Sequence, residues 1–142
     1  NTTPDLWKTV VHLTPPPEIL VKDGVGRSGS KALVFNNPEG QRPYYYRNLV
    51  REVKGTEAGQ TYILQAWVKG SKVKSPGSVL GICSDIFGNE GQSYAPAWQP
   101  TDQWQLIRWE FKAPSGRFNV IIRNSNYVEN LVLDDLKIIK KE

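Results

Sequence analysis

Apolar and polar residues alternate along much of this chain, most clearly in Thr61-Tyr62-Ile63-Leu64-Gln65-Ala66-Trp67-Val68-Lys69-Gly70. Tyr62, Leu64, Ala66 and Val68 share one parity; Ile63, Gln65, Trp67 and Lys69 share the other. Successive side chains of a strand leave opposite faces of its sheet, so this segment predicts a half-buried strand with one core face and one wet face. Short runs rich in Val, Ile, Tyr, Trp and Phe predict further strands, giving the set 6–13, 31–36, 44–53, 61–69, 78–86, 92–97, 104–112, 119–123 and 131–140. No stretch keeps a 3.6-residue apolar period long enough for a sizeable helix; Leu49 and Val53 within 47–54 come nearest. The 12 glycines and 10 prolines punctuate these runs, and Glu57-Ala58-Gly59-Gln60 reads as a tight turn. Pro15-Pro16-Pro17 lacks backbone donors and predicts an edge or a crossover after the first strand.

Eight or nine strands in 142 residues do not pair as one flat sheet without curling or splitting. Two sheets packed face to face bury the apolar parity of each strand. The expected fold is therefore all-β, a two-sheet antiparallel β-sandwich of jelly-roll form. No internal repeat, low-complexity tract or linker divides the sequence, so residues 1–142 read as a single domain. The opening Asn1-Thr2-Thr3-Pro4, without an initiator Met, reads as a domain cut from a longer or processed precursor.

Charge and reactive residues narrow the function. Net charge is +4, but the basic residues are scattered, with the densest cluster at Lys69, Lys72 and Lys74. A nucleic-acid protein shows a basic stripe on one element, so these lysines read as solvated surface with no nucleic-acid partner. No apolar run is long enough to cross a bilayer as a helix, and no membrane partner is expected. Cys83 is the sole cysteine, which excludes an intrachain disulfide and a cysteine-type zinc site; within a strand-like run it reads as a small core residue. His12 is the sole histidine and has no Ser or Cys motif around it. Glycosidic hydrolysis needs two carboxylates facing one bond, and no motif pairs Asp85, Glu90, Glu110 or Glu129. The sequence reads as a non-enzyme.

Four segments in order carry a family resemblance: Gly24-x-Gly26-x-Ser28-Gly29-Ser30-Lys31-Ala32-Leu33, the Gly59–Gly70 strand, Trp104-Gln105-x-x-x-Trp109-Glu110-Phe111-Lys112-Ala113-Pro114, and Leu131-Val132-Leu133-Asp134-Asp135-Leu136. Together they resemble the β-sandwich carbohydrate-binding modules of the family 4/9, 16 and 22 type, over nearly the whole chain. The resemblance implies a galactose-binding-like fold and a monomeric, non-catalytic module that binds a polysaccharide or oligosaccharide. It would be tethered to a secreted or cell-surface glycoside hydrolase. It also implies a structural calcium held by Asp135, or else Asp134, with backbone oxygens around Gly29 and Lys31; Glu18 or Asp5 are the acidic residues available nearer the N-terminus. Calcium takes six to eight oxygens, of which the sequence offers part. The alternative is a strand-end pair of carboxylates that hydrogen-bonds a loop. Two adjacent carboxylates on a strand point to opposite faces, so they cannot act together as a catalytic pair. The alternative function is a structural or protein-docking β-sandwich within a larger secreted or surface protein.

Five tryptophans and six tyrosines exceed what one small core needs. The resemblance puts Trp104 and Phe111 in the sandwich interior, and parity adds Trp109 and Tyr62. Aromatic rings give a flat stacking face at low entropic cost. Trp98 is the leading sugar platform, because Gln92, Tyr94 and Trp98 share parity in a segment after the Gly88–Gly91 turn. Trp67 is a second platform on the wet face of its strand, and Trp7 and Tyr127 are candidates at the sandwich ends. Tyr44-Tyr45-Tyr46 must turn at least one ring outward. Planar polar groups that donate and accept hold sugar hydroxyls. Gln65 lies beside Trp67, Asp85 shares a face with Gly81 and Cys83, and Arg123 ends a strand near Tyr127. Gly81 is expected to leave room for a ligand.

Overall fold

The β-branched and aromatic runs form ten strands, and no helix among the described residues, in the computed structural model, which describes residues 8–11, 18–29, 31–36, 47–70, 77–84, 91–99, 101–123 and 131–142. The strands are β1 (Lys8–Val11), β2 (Glu18–Lys22), β3 (Ala32–Asn36), β4 (Arg47–Lys54), β5 (Thr61–Lys69), β6 (Leu80–Cys83), β7 (Ser93–Tyr94), β8 (Gln105–Lys112), β9 (Arg117–Arg123) and β10 (Leu131–Lys140). They make two five-stranded sheets, β1-β4-β9-β6-β7 and β2-β3-β10-β5-β8, with every pairing antiparallel. The expected β-sandwich is observed. β2 lies outside the predicted set: its core Ile19-Leu20-Val21 is too short to show period two, and it follows a triple proline. The predicted strand 92–97 shrinks to two residues.

Parity and burial agree on where the interior lies. Leu33, Phe35, Tyr62, Leu64, Ala66, Val68, Leu131, Leu133 and Phe111 from one sheet meet Leu49, Leu80, Ile82, Phe118, Val120 and Ile122 from the other. Phe111 stacks against Tyr62 and Trp109 and meets Phe118 edge-on. The wet parity of β5 holds for Gln65, Trp67 and Lys69, which are half-buried, whereas Ile63 is 4% exposed. Tyr62 also turns its hydroxyl to accept the Glu57 N–H at 3.0 Å. The tight turn forms as expected, with Gln60 N–H donating to Glu57 C=O and Gly59 at a φ of 78° that favours glycine.

Trp104 departs from its assignment to the interior. It packs on the outer face of the second sheet, against a small cluster of Ala32, Val34, Val132 and Val25. Its parity is opposite to that of Trp109 and Phe111 and matches the outward Leu106 and Arg108, so the resemblance and not the strand pattern misplaced it. His12, Pro15-Pro16-Pro17 and Tyr44-Tyr45-Tyr46 lie outside the described residues.

Candidate functional site

Two outer sheet faces and the core divide the sequence-predicted site residues among them. On the first sheet, Val50, Ile121, Gly81 and Tyr94 stand in one transverse row across β4, β9, β6 and β7. They have the parity opposite to the core residues Leu49, Ile122 and Leu80, so the row lies on the outer face, where Val50 and Ile121 are nevertheless buried. Gly81 makes its geometry possible. A Cβ there would lie 2.6 Å from Tyr94 Cε1 and 2.9 Å from the Ser93 carbonyl oxygen. Only a residue without a side chain lets the phenol ring lie down across the strand. The room that Gly81 leaves is therefore filled by Tyr94, not by an external ligand.

Arg123, at the end of β9, comes over the same ring. Its Cζ is 4.0 Å from the Tyr94 centroid, and its Nη2 donates to the Tyr94 hydroxyl. Its backbone N–H is held by Val79 C=O at 2.8 Å, which anchors the residue from the neighbouring chain segment. A guanidinium stacked on a ring and bonded to its hydroxyl fixes the ring's orientation. On the other side of the row, Asn119 faces outward from β9 yet is 4% exposed. Its amide donates to Ser84 C=O at 3.4 Å. Gln92 is exposed and shares Tyr94's parity. Tyr94 and Gln92 keep the shared parity read from the sequence, and Arg123, which the sequence placed near Tyr127, lies against Tyr94. Asn119 was missed, because the all-apolar neighbours of Phe118-Asn119-Val120 gave it no visible face.

Trp98 does not join them. It is 7% exposed and belongs to the main core. A backbone bridge to Gly77 holds it, and its indole N–H donates to Gln105 Oε1. A ring sealed between the sheets has no face for a sugar, so the leading sequence candidate is corrected to a core residue. Its parity with Tyr94 failed because β7 ends at Tyr94 and the chain through Pro96 no longer alternates.

Trp67 and Gln65 lie on the outer face of the second sheet, on the far side of the sandwich from Tyr94. Trp67 is half-buried and its ring is covered: Arg27 Cζ sits 3.6 Å from the ring centroid. The same Arg27 reaches both predicted metal ligands. Its backbone N–H donates to Asp134 Oδ2 at 3.0 Å, and its Nη1 pairs with Asp135 Oδ2 at 3.3 Å. The strand argument that sends adjacent carboxylates to opposite faces fails here, because a bulge interrupts β10 between Asp134 and Lys137 and Asp135 takes a φ of 52°. The second Asp134 oxygen accepts the Asp135 N–H at 2.9 Å. Gly29 closes a turn onto Gly26 C=O, and Lys31 lies 3.9 Å from Asp23. The pair hydrogen-bonds the loop that carries Arg27. Among the described residues no group of three or more His, Cys, Asp or Glu side chains gathers, whereas the calcium site that the resemblance implies draws on backbone oxygens beside one of these carboxylates. Trp7, Asp85 and Tyr127 lie outside the described residues.

A cleft of about 370 Å³ opens at the sandwich rim between β4 and β10, over Val53, Val120, Leu136 and Ile138 with Arg51, Lys54 and Lys137 around it. It contains no aromatic ring and none of the predicted sugar-binding residues.

No protein-family model matches the chain, and no curated protein matches it. Solved structures do. The N-terminal endo-1,4-β-D-xylanase 10B of Clostridium thermocellum, its CBM22-1 and GH10 modules complexed with xylohexaose, superposes with a TM-score of 0.70 at 17% identity, over 97% of this chain and 26% of that one. The CBM22-1 xylan-binding domain of Paenibacillus barcinonensis Xyn10C matches with a TM-score of 0.67 at 14% identity, covering 99% of this chain and 88% of that one. The enzymatically active domain of tailspike protein 4 of bacteriophage CBA120 matches with a TM-score of 0.65 at 14% identity, over 96% of this chain and 20% of that one. The chain thus spans about a quarter of the xylanase structure and most of the isolated domain. At these identities the shared property is the fold.

Proposed function

We propose that this chain is a non-catalytic carbohydrate-binding module. In this reading it binds a polysaccharide on the outer face of the β1-β4-β9-β6-β7 sheet and serves an appended, extracellular glycoside hydrolase. The observation that carries the reading is the Tyr94 ring laid across Gly81 and held there by Arg123. A ring fixed before the ligand arrives loses little entropy on binding. Arg123 and Gln92 supply planar donors and acceptors around it, and the buried Asn119 amide lies two residues along β9 from Ile121. These groups bind and orient; none of them is a carboxylate, so the acid–base pair of glycosidic hydrolysis is not formed by this set. Support also comes from the fold shared with the xylan-binding domain and with the xylohexaose-complexed xylanase modules named above. The phage tailspike domain has the same fold, so the residues, not the fold, must carry the function.

Affinity electrophoresis against soluble xylan, mixed-linkage glucan and glucomannan tests the reading. Retardation by at least one of these neutral polymers, lost in Tyr94→Ala with the melting temperature preserved, is expected. A protein that ignores every polymer in a broad glycan panel removes the module reading and leaves a structural or docking sandwich.

A further inference from the structure

The outer face of the other sheet carries a second chemistry. Arg108 of β8, Gln65 of β5 and Lys137 of β10 stand directly opposite one another, in one row across three strands. Strands lie roughly 4.8 Å apart, so the two cations are separated by about 10 Å at the backbone with an amide midway. Arg108 and Lys137 are exposed and Gln65 is half-buried. Along β8, Lys112 has the same parity as Arg108 and is also exposed.

The charge balance on this face is one-sided. Glu110 is taken by Lys141 at 2.9 Å, and Asp135 by Arg27. Asp134 accepts two backbone N–H groups. Arg108, Lys112 and Lys137 have no ion pair among the described residues. The exposed large apolar side chains among the described residues, Leu106 and Ile139, belong to this face too, on either side of the row.

We propose that this row is a second binding site, for a polysaccharide that bears carboxylates, such as a chain of uronic acids. The guanidinium and the ammonium take carboxylates on alternate sugar units, and the Gln65 amide donates to and accepts from a hydroxyl of the unit between them. Leu106 and Ile139 offer aliphatic surface to pyranose C–H groups beside the row. The polymer class rests on the module reading above, but the site uses a different face and different residues. An acidic protein would meet the same cations without needing the central amide.

The experiment is affinity electrophoresis with polygalacturonate, with neutral xylan and with polyglutamate as separate polymers. The wild-type chain is expected to be retarded by polygalacturonate, less so as NaCl is raised, because exposed charges are screened. Polyglutamate of matched charge is expected to retard it at least several-fold less. Arg108→Ala with Lys137→Ala should weaken polygalacturonate binding about tenfold and leave xylan binding unchanged. Gln65→Leu should weaken polygalacturonate binding while leaving any polyglutamate retardation alone. Equal retardation by polyglutamate and polygalacturonate, or full polygalacturonate binding by the double variant, overturns the proposal. Tyr94→Ala separates the two readings, since it is expected to lose xylan and keep polygalacturonate.

Discussion

The Tyr94 ring lies over the Cα of Gly81, its directly opposed partner across the β6–β7 ladder. Gly81→Ala therefore drives a methyl into the ring and against the Ser93 carbonyl. Either Tyr94 lifts off the sheet and leaves Arg123, or the short β7 strand shifts. Overpacking of this kind costs about 1–3 kcal/mol. Urea unfolding should show that loss, and affinity electrophoresis should show neutral-glycan binding reduced as in Tyr94→Ala. A Gly81→Ala protein with full stability and full binding would break the link between these two residues.

Trp98→Ala is expected to act as a core deletion. The side chain is sealed, and its N–H satisfies Gln105. Removing a buried aromatic leaves a cavity and costs about 3–5 kcal/mol. Trp98→Phe should cost less but leave Gln105 without its donor. Chemical denaturation measures both losses. In any variant still folded at the assay temperature, glycan affinity should match the wild type, which a sugar platform at this position would not permit.

Arg27→Ala is expected to expose Trp67. The ion pair with Asp135 is solvent-exposed on both sides and contributes little. The stack on the indole carries more, about 0.5–1 kcal/mol. Loss of that stack corresponds to a fall in Tm of a few degrees at most for a domain of this size, on the order of 2–4 °C per kcal/mol. Acrylamide should quench tryptophan fluorescence more strongly in the variant. The wild-type Tm should be the same in chelator and in added calcium, because the Asp134–Asp135 carboxylates already face Arg27. A clear rise of Tm with calcium would return a metal ion to this bulge, since a ligand that binds only the folded state must raise it.

Glu52 predicts a pH dependence. Its hydrogen bond from Arg117, with Lys54 adding to it, holds the carboxyl below its ordinary value of 4.5. A folded-state value below the unfolded one means that the unfolded chain binds the proton more readily. The contribution of this group is therefore complete above pH 4.5 and is lost as pH falls through the lowered folded-state value. Glu52→Gln should lower Tm slightly at pH 7, where the exposed pair is intact, and the gap to wild type should close as pH falls below 4.5. An unchanged acid limb in Glu52→Gln would remove this assignment.

Alternation along single strands was enough to read the all-β class and the core parity of Tyr62, Leu64, Ala66 and Val68, and to place Trp109 beside Phe111, because the pleat is a local property with period two. The same rule brought Tyr94 and Gln92 to one face. It lost its force wherever the strand ended or bulged. Trp98 lies beyond the end of β7, so parity carried it to the surface while packing drew it into the core. Asp134 and Asp135 straddle a bulge, so two residues expected on opposite faces meet the same arginine. Arg27 itself gave no signal, since its carboxylate partners are more than a hundred residues away in sequence.

Which wet face holds which residues was decided only by strand order. Trp67 and Tyr94 both carry the outward parity of their strands, yet they belong to different sheets and face away from each other across the sandwich. Parity states whether a side chain leaves the core; it holds no information about which neighbour stands beside it. That neighbour is chosen by long-range pairing, here β5 with β8 and β10, and β7 with β6. The pairing is selected by the burial of the whole interior, a property of the assembled sheets that no short segment contains.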